Sequence, residues 1–256
     1  MGGLERVYEI GRVFRNEGID TRHNPEFTML EAYRAFADYR HMMELVETVM
    51  TTLQTDLVPS GIVRFRDLDV DLRPPIAARA ISSSSSSTSV ATSSTTRFCR
   101  RRAKELRVPA EGKPPEKLAN DLFEECVEGT LLQPTFIVDY PVPICPLAKK
   151  KPGDAKVAER FEFFVAGMEL ANAFTELNDP IDQEERFRAQ VNTKDEESPP
   201  RSTSTMSRRS NTECPRRRPG LESIDSVMLL TGKNLDSRGG PVPASSRGSR
   251  RGEAQG

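Results

Sequence analysis

Apolar residues recur along this chain with two periods, and the switches between them divide it into elements. Val7, Ile10, Val13 and Phe14 make one strand-like run, and Phe27 to Tyr39 carry a second. Between them lie Asn16-Glu17-Gly18, Asp20 and Arg22-His23-Asn24-Pro25, all turn-favouring, so Arg6 to Tyr39 predicts a β-hairpin around a long polar loop. Helical spacing follows. Met42, Leu45, Val46, Val49, Met50 and Leu53 give one apolar face, with Asp38 as the predicted cap and Pro59 and Gly61 as the stop. His41, near the helix start, is expected at the surface with no role. Val63, Phe65, Leu68, Val70 and Leu72 then predict one or two short strands before Pro74-Pro75.

The pattern lapses from Ile76 to Arg102. Ser82 to Ser87 is an unbroken serine run, Ser and Thr continue to Thr96, and Arg100-Arg101-Arg102 follows. Such a tract has too little apolar surface to offset chain entropy, so it is expected to be a disordered insert. A phosphorylated linker and a basic RNA contact are the functional alternatives. Leu118, Leu122, Phe123, Cys126 and Val127 restore a helical face that ends near Gly129. Gln133 to Pro141 reads as a buried strand stopped by proline, and Ile144 to Lys149 as a loop. Phe161, Phe163 and Val165 alternate in a strand, Gly167 marks a turn, and Leu170, Asn172 and Phe174 lie on a return strand. Asn172 and Glu176 can point the same way. Whether Glu162 and Glu169 meet depends on a register that periodicity leaves open. Ile181 to Gln190 starts a charged helix.

Composition narrows this only a little. Hydrophobic residues make up 36% of the 256 and there is no Trp, which is low for a fully packed domain. The net charge of −1 leaves no global electrostatic footprint for RNA, although 11 Arg and Lys oppose 5 Asp and Glu from Arg201 onward. Cys99, Cys126, Cys145 and Cys214 are scattered without a Cys-x-x-Cys pair, which argues against zinc or a disulfide framework and fits a reducing compartment; the expected setting is cytoplasmic, with an organellar form as the alternative. No apolar run approaches a membrane span, and Met1 to Glu5 does not resemble a targeting peptide.

Two clusters carry chemistry. Arg15, Arg22 and His23 on one hairpin loop can hold phosphate oxygens, although by composition alone solvated surface charges are the plainer reading. Glu162, Glu169 and Glu176 on a strand pair are costly on one face unless a cation sits among them. An exposed acidic strand is the plain alternative.

Phe14-Arg15-Asn16-Glu17-Gly18 followed by Arg22-His23-Asn24-Pro25-Glu26-Phe27-Thr28 resembles motif 2 of the class II aminoacyl-tRNA synthetases, in the form found in lysyl-tRNA synthetases. Met29-Leu30-Glu31-Ala32-Tyr33 is more similar to the lysine enzymes than to those for aspartate and asparagine. Pro134-Thr135-Phe136, Tyr140-Pro141 and Cys145-Pro146-Leu147-Ala148-Lys149 are also lysyl-synthetase-like, with Cys145 where the family usually has Ser. The run from Arg160 to Pro180 resembles the acidic strand pair that lies opposite motif 2. The resemblance covers roughly 3–72 and 118–190.

It implies an α+β fold, an antiparallel β-sheet flanked by helices, here incomplete. It also implies a lysine–tRNA ligase reaction: ATP-dependent formation of lysyl-adenylate, then transfer to tRNA(Lys). Arg15 matches the arginine that bridges lysine carboxylate and α-phosphate. Glu17, His23 and Asn24 match residues around the nucleotide, and Phe27 matches the aromatic on which adenine stacks. Glu162 and Glu169 match Mg²⁺ ligands. Glu31 matches a contact to the lysine α-amine, Tyr33 and Glu176 the pair that receives the ε-ammonium, and Asn172 a polar substrate contact.

The resemblance implies departures too. The family's anticodon-binding domain and motif 1, which builds its homodimer, have no counterpart in this sequence. Gly220 to Gly232 is similar to a damaged motif 3, with Ser226 where the family has the arginine that holds the γ-phosphate. Arg209 to Arg216 can be encoded by GC-rich codons that give the family's preceding run in a shifted frame. The expected layout is 1–75 as motif 2 hairpin and helix, 76–113 as insert, 114–192 as acidic strand pair, and 193–256 as degraded motif 3 with a basic tail. A catalytically dead nucleotide- or partner-binding protein and a protein-lysylating paralogue are the alternative functions.

Overall fold

β1 (Arg6–Phe14) and β2 (Glu26–Arg34) form the expected hairpin, pairing from Arg6↔Arg34 to Phe14↔Glu26. The computed structural model describes residues 4–15, 25–81, 95–192 and 218–222. The hairpin loop with Glu17, Arg22, His23 and Asn24, the serine run and Ser226 therefore lie outside the described residues.

After the hairpin, α1 (Tyr39–Leu57) begins at the predicted Asp38 cap. Asp38 Oδ1 accepts from the main-chain N–H of Arg40 at 3.1 Å, while His41 Nδ1 accepts from the Asp38 N–H at 3.1 Å. His41 is thus not idle, contrary to its expected lack of a role. It completes a reciprocal cap that usually stabilises a helix by about 1 kcal/mol. β3 (Ile62–Phe65) and β4 (Leu68–Asp71) make the next hairpin.

The expected disordered insert is corrected at both ends. β5 (Ala77–Ala80) pairs in parallel with β6 (Thr135–Val138), and α2 (Thr95–Leu106) packs its buried Cys99 and Ala103 against α3 (Pro115–Cys126). Both elements are short or polar by composition and owe their order to a distant partner. The chain continues through β7 (Lys150–Lys151), β8 (Asp154–Ala158), β9 (Arg160–Val165), β10 (Met168–Phe174), α4 (Pro180–Asn192) and β11 (Arg218–Glu222).

The main sheet has seven strands in the order β1-β2-β11-β10-β9-β6-β5, antiparallel except for β5 with β6. The last strand in sequence thus sits near the middle, between the hairpin and the acidic strand pair. One face packs on α1: Met42, Val46 and Met50 meet Phe136, Phe161, Phe163, Val165 and Ala173. Each Met, Val or Phe buried there stabilises by roughly 1.5–3 kcal/mol. The other face carries a second apolar cluster, where Ile137 and Phe164 meet Phe123, Tyr140, Cys145 and Ala158.

α4 is fastened to that cluster through Arg186. Its guanidinium binds both oxygens of Asp182, at 3.0 and 2.8 Å, and donates to the carbonyls of Cys145 and Ala148 at 3.0 and 2.7 Å. Arg186 holds the Asp182 carboxyl below its ordinary value; partial burial opposes this and Lys150 adds to it. A depressed carboxylate stabilises the fold above its unfolded value of about 3.9, and that stabilisation is lost as pH falls through the lower folded value. Asp182→Asn should therefore cost about 2–3 kcal/mol at neutral pH. The loss should begin to shrink below about pH 4, as the carboxyl of the unfolded chain takes a proton, and should fade as pH drops through the lower folded value. Urea unfolding at pH 7 and pH 3 checks both statements.

Candidate active site

Register places the candidate residues on one face. Glu31 on β2 is opposite Gly220 on β11, Gly220 is opposite Asn172 on β10, and Asn172 is opposite Glu162 on β9. Directly opposed residues in antiparallel strands point to the same side of a sheet. Glu31, Asn172 and Glu162 therefore form one polar row across four strands. Gly220, in the middle of that row, adds no side chain. With strands about 4.8 Å apart, the gap from Glu31 to Asn172 spans about 10 Å.

Simple alternation would send Glu169 to the face opposite Asn172. It does not, because the β9–β10 register shifts between Glu169 and Ala171. Glu169 pairs with Phe164, which shares the face of Glu162, so one extra residue at Leu170 brings both carboxylates to the same side. Asn172 Nδ2 then donates to Glu169 Oε1 at 2.8 Å. The β9–β10 turn is as expected: Ala166 and Gly167 have φ of 54° and 72°, and a Cβ at residue 167 would lie 3.3 Å from the Gly129 carbonyl oxygen.

Arg15 follows β1 and extends its ladder by one step, its N–H donating to the Pro25 carbonyl at 2.9 Å. That parity puts it with Phe27, Met29, Glu31 and Tyr33. Its guanidinium carbon lies 4.9 Å from the centre of the buried Phe27 ring, and Nη2 lies 4.0 Å from Met29 Sδ. Met29 pairs with Glu222 at the level of the bulge, so two strand spacings, about 10 Å, separate Met29 from that part of β10. The Tyr33 hydroxyl donates to Glu31 Oε2 at 3.1 Å. Thr175 faces α1, accepting from the Tyr39 N–H at 3.0 Å. Glu176 consequently turns back toward the polar face, where its Oε2 is shielded from solvent.

Glu162 is held at both carboxylate oxygens. Oε2 accepts from the Tyr140 hydroxyl at 2.6 Å and Oε1 from Arg160 Nη2 at 2.5 Å. The Arg160 guanidinium lies 5.0 Å from the centre of the Tyr140 ring, and its Nη1 donates to Cys145 Sγ at 3.5 Å. Burial, then the adjacent Glu162 charge, pushes the Tyr140 phenol well above its ordinary value, so it stays a donor. Burial also pushes the Cys145 thiol up, which suits an inert thiol.

Sequence reasoning missed this network. Arg160 had a signal, standing two residues before Glu162 on the same strand face. Tyr140 had none, because it reaches Glu162 from the turn that follows β6, more than twenty residues earlier in the chain. Glu162 and Glu169 are hard oxygen donors on one face. Among the described residues no group of three or more His, Cys, Asp or Glu could hold a metal ion. A divalent cation here would complete its shell with ligand phosphates and water, as Mg²⁺ commonly does. Glu17, His23 and Asn24 lie outside the described residues, so the loop side of the site carries no geometry.

Residues 1–208 match the family of class II tRNA synthetases (D, K and N). The chain is 47% identical to the lysine–tRNA ligase of Moorella thermoacetica over 195 residues, 75% of this chain and 40% of that protein. It is 45% identical to that of Bacillus subtilis over 195 residues, and 44% identical to that of Staphylococcus epidermidis over 198; each match takes in 75% of this chain and 39% of the relative. The chain thus spans about two fifths of the length of the curated relatives it matches. No described helix is long and apolar enough to cross a membrane. By family match and by these relatives, the chain belongs to the class II tRNA synthetases of the D, K and N group and carries a synthetase domain similar to that of lysine–tRNA ligases.

Proposed function

We propose that this chain forms the lysine-activating site of a lysine–tRNA ligase. A lysine carboxylate oxygen attacks the α-phosphate of ATP, pyrophosphate leaves, and lysyl-adenylate forms; the lysyl group then passes to tRNA(Lys). The observation that carries this reading is the polar row Glu31–Gly220–Asn172–Glu162 on the face that Arg15 shares.

Attack concentrates negative charge on the α-phosphate. Arg15 would stabilise that charge and hold the lysine carboxylate in line, a contribution of position and field rather than of covalent chemistry. In this structure its guanidinium rests on Phe27. An adenine stacking on the same side of the ring displaces it toward the phosphates, so nucleotide binding and placement of the cation are coupled. Glu31 would take the lysine α-ammonium, Tyr33 and Glu176 the ε-ammonium, and Asn172 a polar group between them. Glu17, His23 and Asn24 would contact the nucleotide from the loop. Glu162 and Glu169 would hold Mg²⁺, which when bound with ATP neutralises phosphate charge.

Lysine-dependent exchange of labelled pyrophosphate into ATP tests the reading. The expected result is exchange with lysine and none without it. Nucleotide binding with no exchange would instead point to a protein that binds without ligating. Comparing tRNA(Lys) with a protein acceptor then separates the tRNA ligase from a protein-lysylating one.

A further inference from the structure

Tyr140 and Arg160 together take up one acceptor position on each oxygen of Glu162. They come from different places. Arg160 is two residues earlier on β9 and shares the face of Glu162. Tyr140 follows β6, where Asp139 turns the chain with a φ of 65° and pairs with Lys151 at 2.6 Å. A buried tyrosine needs an acceptor, and a main-chain carbonyl would serve. Here the acceptor is a carboxylate of the candidate cation site, and the guanidinium holding its other oxygen also stacks on the same tyrosine ring. Cys145 Sγ fixes the far side of that guanidinium. Tyr140 is 1% exposed, so it has no direct access to a bound ligand.

We propose that Tyr140 and Arg160 are positioning residues that set the Glu162 carboxylate for a divalent cation brought in with ATP. This rests on the proposed ATP site and deepens it. Each carboxylate oxygen can accept more than one bond, so a lone pair on each remains for the cation while the two donors fix where those lone pairs point. Partners that orient a metal ligand commonly contribute about 10- to 100-fold in metal affinity.

The test uses Mn²⁺ with ATP, reading free Mn²⁺ from its electron paramagnetic resonance signal. The chain is compared with Tyr140→Phe, Glu162→Gln and the double variant. Tyr140→Phe removes one hydroxyl and keeps the packed ring. It should weaken Mn²⁺ binding about 10-fold. The double variant should bind no more weakly than Glu162→Gln alone, because Tyr140 acts through Glu162. A purely structural tyrosine would leave Mn²⁺ affinity unchanged, or would weaken the double variant by the product of the single effects; either result overturns the proposal. Arg160→Lys keeps the charge and loses the planar fork, and unchanged Mn²⁺ affinity there also counts against it. Should the unaltered chain take up no Mn²⁺ with ATP, the cation site and this proposal fail together. Normal uptake that Tyr140→Phe and Arg160→Lys leave untouched removes the positioning roles alone.

Discussion

Arg15→Ala is expected to lower lysine-dependent ATP–pyrophosphate exchange on the order of 10³-fold. Arg15 stands on the exposed end of the hairpin, with its guanidinium over Phe27, so little of the fold depends on it. Its removal should change thermal stability by no more than about 0.5 kcal/mol. The rate loss should fall mainly on kcat, because the charge it meets develops during phosphoryl attack. Arg15→Lys should recover part of the rate: an ammonium keeps the charge but cannot bridge two oxygen atoms in one plane. Exchange that survives Arg15→Ala with unchanged kcat would remove the central cation from the mechanism.

Glu176→Gln should act on selection of lysine. The Oε2 of Glu176 is shielded from solvent, and Thr175, anchored to the first N–H of α1, fixes which way Glu176 faces. A buried carboxylate that receives an ammonium rejects an uncharged isostere, since the charge is then left without its counterpart. Glutamine keeps the shape and removes that penalty. The ratio of kcat/KM for lysine over norleucine is expected to fall about 10³-fold, chiefly through a higher KM for lysine. Equal ratios before and after the substitution would reassign Glu176 to the scaffold.

The two substitutions separate two layers of the proposed site. Arg15 sits at the rim, just beyond the strand that forms one edge of the sheet. Glu176 lies where the sheet meets the loop around Ala148, with which it forms a bridge. Between them the polar row crosses the sheet, and α1 with its apolar stripe supports the opposite side. A sheet backed by a packed core holds side chains with little freedom, which favours catalysis by orientation.

Much of this was legible in local pattern. Alternation at Phe161, Phe163 and Val165 gave a strand because the period of a strand is two, and the face of those residues is the one that packs on α1. The spacing of Met42, Val46 and Met50 gave a helix for the equivalent reason. Polar loops between them predicted the turns. The ends of the insert were misread because composition measures only what a segment can bury by itself. Ala77–Ala80 is ordered by a strand more than fifty residues later, and α2 by α3. Gly220 stands in the sequence only as the start of a damaged motif 3, yet its strand closes the row between Glu31 and Asn172.

By itself, then, the sequence determined the elements and the chemical kinds of side chain, because these follow from propensity, period and residue type. The tertiary structure decided which side chains share a face. One extra residue at Leu170 reverses the parity that alternation predicts, and the pairing of β6 with β9 brings Tyr140, just beyond β6, to Glu162. Both are consequences of strand pairing, which is fixed by packing between segments far apart in the chain and leaves no local trace.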